Sequence, residues 1–115
     1  MNPGVAVAGL VALLTAGAVA ACEDTDPYAR ALCLYQSDQT EGAAEILMEM
    51  IRADEQVPQT LRAHYFLARI RMEQERWAEA EGLLIGIFSK SRPFYREWNC
   101  DFLLGVCRRS LGKDG

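Results

Sequence analysis

From Asp26 to Gly112 apolar residues recur at three- and four-residue spacing, and no stretch alternates apolar with polar as a half-buried strand does. The pattern predicts an all-α chain with helices over 26–37, 41–54, 59–74, 77–90 and 94–111. Asp26 before Pro27 suits a helix start, because the carboxylate accepts from a free first-turn N–H and proline is tolerated where no N–H is needed. Gly112 suits a helix stop. Ahead of these helices the pattern changes. Val5 to Ala21 is apolar or small apart from Thr15, and no charged side chain precedes Glu23. The expected organisation is an apolar N-terminal helix that is a signal peptide or membrane anchor over 1–21, a short tether over 22–25, and a helical domain over 26–112.

The helical part repeats. Ala63 to Met72 aligns with Cys100 to Arg109 at an offset of 37, pairing Tyr65 with Phe102, Leu67 with Leu104 and Ala68 with Gly105. Ala44 to Met48 aligns with Ala80 to Leu84 at an offset of 36. These features resemble the tetratricopeptide repeat, a helix-turn-helix unit of about 34 residues. The fullest copy runs from Leu61 to Pro93 and carries Leu67-Ala68, Arg76-Trp77 at its turn, Ala80, Leu84 and the closing proline. A weaker copy spans Asp26 to Pro58 with Ala31-Leu32, Tyr35, Ala44, Met48 and Ile51, and Phe94 to Gly112 forms a half unit. The resemblance implies a short array of about two and a half repeats. Ala68 and Ala80 would sit where two helices cross, and larger side chains there would force them apart. Pro93, lacking an N–H, is expected to halt the helix before it.

The apolar run ends in Val19-Ala20-Ala21-Cys22. A short apolar stretch closed by small residues is the pattern of a secretory signal, and these four residues resemble the lipobox of bacterial lipoproteins, which implies lipidation of Cys22. The alternatives are an ordinary signal, an uncleaved transmembrane anchor at the lower limit of spanning length, and a buried core helix. Either a signal or an anchor places the remainder outside the cytoplasm, facing the periplasm or cell exterior of a bacterium, and Glu23, Asp24 and Asp26 follow the run with no basic residue to hold that side in.

In tetratricopeptide proteins the first helix of each unit lines a groove that holds a peptide or helix. Carried onto this chain, the groove would show Arg62, Tyr65, Arg69 and Met72 from the fullest copy, and Asn99, Phe102, Val106 and Arg109 from the closing helix. The first copy would add Ala29, Cys33 and Gln36. Arginines interleaved with aromatics suit an acidic or carboxylate-ended segment with an apolar anchor. The bland alternative is a solvated face whose arginines pair with Glu73 or Asp101. Trp77 and Trp98 read as packing residues at turns, with a binding role open for Trp98. Ser89 to Arg96 is a local basic and aromatic stretch.

Charge narrows the function classes. A net charge of −4 and a pI of about 5.0 give no general nucleic-acid footprint. His64 is the single histidine, so neither a catalytic triad nor a histidine metal site is indicated, and no metal or cofactor is expected. No phosphate loop or nucleophile elbow occurs, and the chain reads as a non-enzyme. Cys100 and Cys107 would lie ~10 Å apart along one helix, too far to bridge. If Cys22 is lipidated, Cys33 joins them as a buried apolar thiol; if not, a Cys22–Cys33 disulfide can tie the tether to the first helix. The expected role is a membrane-tethered interaction module whose partner is a peptide or helix of a larger envelope assembly. The alternative is an accessory structural subunit of a membrane complex with an uncleaved N-terminal transmembrane helix.

Overall fold

The computed structural model describes residues 22–54 and 57–113. The apolar segment over 1–21 lies outside them. Among the described residues the chain is all-helical, with α1 Pro27–Gln36, α2 Thr40–Ala53, α3 Val57–Glu73, α4 Trp77–Lys90, α5 Arg92–Glu97 and α6 Cys100–Ser110. No helix among them is long and apolar enough to cross a membrane. The chain divides into two compact units, with the boundary between Ile46 and Leu47.

In the first unit, Asp26 caps α1 by accepting from the Ala29 N–H at 3.3 Å, and Pro27 occupies the first turn. Arg30 reaches back to the Asp24 carbonyl at 2.9 Å. Cys22 is disulfide-bonded to Cys33, which ties the tether to α1. That bond uses the sulfur that lipidation of Cys22 would need, so the two are alternative fates of one residue.

The second unit is built around the α3–α4 hairpin. Leu61, Ala68, Ala80, Leu84 and Ile87 form one core with Tyr95, Cys100, Leu104 and Cys107. Ala68 and Ala80 are both fully buried, as their small size requires at a helix crossing. Leu84 and Ile87 are also fully buried, and removing each from water stabilises the unit by ~1.5–3 kcal/mol.

The helix expected over 94–111 is two helices. Asn99 breaks it with a left-handed backbone, φ 57° and ψ 36°, a conformation asparagine tolerates better than most residues. Pro93 stands in the first turn of α5 and not at the end of α4. The separation falls on Ser91, which is extended and caps α5 by accepting from the Phe94 N–H at 3.2 Å.

The helix ends show the repeat more sharply than the side chains do. α2 and α4 start at 40 and 77 and end at 53 and 90, and α1, α3 and α6 end at 36, 73 and 110, all 37 apart. Asp38, Glu75 and Gly112 follow those ends with positive φ. At each, paired backbone bonds close the helix: Gln39 N–H to Leu34 at 2.8 Å with Asp38 to Tyr35 at 3.1 Å, Arg76 to Arg71 at 2.8 Å with Glu75 to Met72 at 2.9 Å, and Lys113 to Arg108 at 2.7 Å with Gly112 to Arg109 at 3.0 Å. This is the Schellman termination. These helix ends recur at 37 residues, which shifts the offset of 36 by one position. Ala43 and Leu47, fully buried, are the counterparts of Ala80 and Leu84.

Candidate functional site

α3 carries Arg62, Tyr65, Arg69 and Met72 at three- and four-residue spacing, so they share one side of the helix. Arg62 and Arg69 are exposed and Tyr65 is half-buried. Arg69 Nη1 donates to the Tyr65 hydroxyl at 3.0 Å, and its guanidinium lies 5.9 Å from the Tyr65 ring centre. Met72, like Tyr65, Phe94 and Trp98, is partly buried and packs against the hydrophobic core.

The Tyr65 ring meets Trp98 edge-on, with centres 4.9 Å apart, and Trp98 stacks on Phe94 at 4.7 Å. Aromatic pairs of this kind contribute ~0.5–1.5 kcal/mol beyond their burial. The cluster joins α3 to the turn before α6, and its upper edge carries the Arg69 charge. Phe94 was absent from the expected site, although its spacing of four from Trp98, the residue that closes α5, brings the two rings to one side. Asn99 occupies the turn itself and is exposed. Phe102 is 59% exposed on α6, an unusual position for a phenylalanine, and Arg109 is exposed seven residues on. The structure thus brings together Tyr65, Arg69 and Trp98. Asp101, a suggested partner for the arginines, accepts instead from the Tyr95 hydroxyl at 3.2 Å.

A concavity of about 500 Å³ opens between α2, α3 and α4, lined by Met48, Ile51, Leu67, Arg71, Glu79 and Leu83. Arg71 is its feature of note, with a side chain only 4% exposed. Its Nε lies 3.1 Å from the Glu79 carboxylate, and its Nη1 donates to Gln74 Oε1 at 2.8 Å. A buried guanidinium must be paired in this way, since removing one partner leaves a charge without solvent. Nothing in the spacing along the chain marks Arg71 for burial, because Glu79 lies beyond the turn that follows α3.

The titratable groups of the core are tuned by burial. His64 is buried, with Nδ1 2.9 Å from the Thr60 carbonyl, so Nδ1 carries the proton and donates. Burial lowers its pKa below the ordinary 6.5, and Lys90 lowers it further, while the Thr60 bond and Asp54 oppose them. Burial pushes the Cys100 thiol up to about 11 and also raises Cys107, which keeps both thiols protonated at neutral pH. Burial likewise raises the Tyr95 hydroxyl, helped by the Asp101 charge. Among the described residues no group of His, Cys, Asp and Glu is arranged to hold a metal ion. Comparison of the chain with protein-family models, curated proteins and solved structures finds no match.

Proposed function

We propose that this chain is a protein–protein interaction module of tetratricopeptide type, tethered to a membrane by its N-terminal apolar segment and working on the outer side in a bacterial envelope complex. The observation that carries the reading is the Tyr65–Arg69–Trp98 cluster, an aromatic surface edged by a guanidinium. Such surfaces are where partner contacts gain most, because a stacked aromatic loses little entropy and an arginine binds carboxylates in a fixed fork. The exposed Arg62 and Phe102 extend the same chemistry along α3 and onto α6. The Cys22–Cys33 bond supports an oxidising compartment, since such bonds persist outside the cytoplasm and not within it.

Because the disulfide occupies Cys22, it favours a retained apolar segment as the tether over an acylated cysteine. That observation supports the second reading, an accessory subunit whose N-terminal helix packs among other membrane helices. Purification of the tagged chain from gently solubilised membranes tests the first reading. One defined partner should co-purify, and Arg69→Glu or Trp98→Ala should remove it while leaving the helix content intact. Recovery of the chain with no partner would refute the adaptor role. Intact mass separates the two tethers: a chain starting at an acylated Cys22 points to the lipoprotein, and one retaining residues 1–21 points to the anchored subunit.

A further inference from the structure

The 37-residue register allows α6 to be compared with α3 position by position. Ala63, Leu67 and Ile70 of α3 are buried, and so are their counterparts Cys100, Leu104 and Cys107. His64, Ala68 and Arg71 of α3 are buried as well. Their side of α3 faces α4: an added Cβ at Gly86 would lie 3.2 Å from the His64 ring, and Arg71 pairs with Glu79 at 3.1 Å. The counterparts on α6 are not covered. Asp101 and Arg108 are exposed and Gly105 is half-buried, and an added Cβ at Gly105 would meet only Arg109 Nη1, at 3.4 Å. α6 therefore displays, among the described residues, a helix-packing face that α3 uses and α6 leaves open. Phe102 stands beside it, 59% exposed.

We propose that this face docks a second copy of α6, running antiparallel and crossing at Gly105. The charges identify the occupant. Asp101 precedes Gly105 by four residues and Arg109 follows it by four, so the three form one row along the helix, ~6 Å on either side of the crossing. A two-fold axis through Gly105 sets Asp101 of each copy against Arg109 of the other, twice. A parallel arrangement would set like charges together. Arg108 is already held by Glu81 at 3.1 Å, which leaves Arg109 for the cross-pair. Tyr95 engages Oδ1 of Asp101 and leaves Oδ2 for the guanidinium. The missing side chain at Gly105 lets the two backbones approach, and Phe102 covers the flank. Two such short helices bury less than ~1,200 Å², so the dimer is reversible.

The proposal does not depend on the adaptor reading. Sedimentation equilibrium of the full chain in detergent, over a range of concentrations, tests it. The unmodified chain should show a monomer–dimer equilibrium. Gly105→Leu, Asp101→Arg and Arg109→Asp should each weaken dimerisation roughly tenfold or more, because each removes the close approach or sets like charges together. An equimolar mixture of Asp101→Arg with Arg109→Asp should restore dimers, since each 101–109 pair of the mixed dimer then joins opposite charges, one in the original sense and one reversed. Helix content by circular dichroism confirms that each variant is folded. A chain monomeric throughout, a dimer that survives all three substitutions, or a mixture no better than its components would each overturn the proposal.

Discussion

Ala68 and Gly105 occupy the same place in the repeat, yet leucine at the two sites should act in opposite directions. Ala68 is fully buried in the core that α3 shares with α4, facing neighbours as tightly placed as Ala80. Leucine there forces the helices apart or its own side chain off its rotamer, at a cost of ~1–3 kcal/mol. A Cβ at Gly105 meets only the far end of the Arg109 side chain and no backbone, and Gly105 is half-buried, so leucine there projects toward the open side. It also removes glycine from a helix interior, which stabilises by ~0.5–1 kcal/mol. At protein concentrations low enough to keep the chain monomeric, urea unfolding followed by circular dichroism should show the midpoint falling for Ala68→Leu and rising for Gly105→Leu. In a domain of this size each kcal/mol moves the thermal midpoint by ~4–8 °C. Equal shifts of the two variants, or an Ala68→Leu chain as stable as the parent, would mean that α4 does not cover α3 at this residue. The assignment of an open face on α6 would then lose its basis.

Other outcomes follow from the same geometry. The lowered pKa of His64 means that the unfolded chain takes up a proton first, so stability is complete above pH 6.5 and falls as the pH drops from there toward the folded-state value; urea midpoints measured between neutral and mildly acidic pH should show this, and His64→Gln should flatten it. Glu75 holds a left-handed backbone, φ 60°, that costs a side-chain-bearing residue ~1–2 kcal/mol, so Glu75→Gly should raise the unfolding midpoint, and no gain would show that the turn is not closed as described. Alkylation of the native chain near neutral pH should be slow at Cys100 and Cys107 and become fast in urea, while Cys22 and Cys33 should react only after reduction. Reduction should also loosen the tether from α1, since the bond closes a loop and contributes ~2–3 kcal/mol to local order, and partial proteolysis before Pro27 should then accelerate.

Much of this architecture was legible in the residues alone. The helical class, the Asp26 cap, the small residues at Ala68 and Ala80 and the 37-residue spacing of Tyr65 and Phe102 are local or periodic signals. They follow from hydrogen bonds and side-chain spacing within a few turns, which any stretch of chain reports about itself. The misreadings lay where two local preferences compete. Asn99 and Pro93 both punctuate helices, and in the fold Pro93 opens α5 behind the Ser91 cap while the left-handed Asn99 separates α5 from α6. The offset of 36 was an error of the same kind, because Ala43 and Ala44 are adjacent alanines, both fully buried, and either matches Ala80 by composition.

The candidate sites depended on distances that no spacing encodes. Arg62, Tyr65 and Arg69 were placed on one helix side by periodicity, but the contact of Tyr65 with Trp98 joins α3 to the turn that follows α5. Burial of Arg71 against Glu79, the pairing of Cys22 with Cys33 among several options, and the inward turn of Met72 likewise rest on which helices meet. Residue order along the chain set α3 and α6 in a shared 37-residue register. Only the tertiary structure decided that α4 covers the Ala68 side of α3 while the matching Gly105 side of α6 stays open among the described residues, because burial is a property of what lies alongside a helix and not of the helix itself.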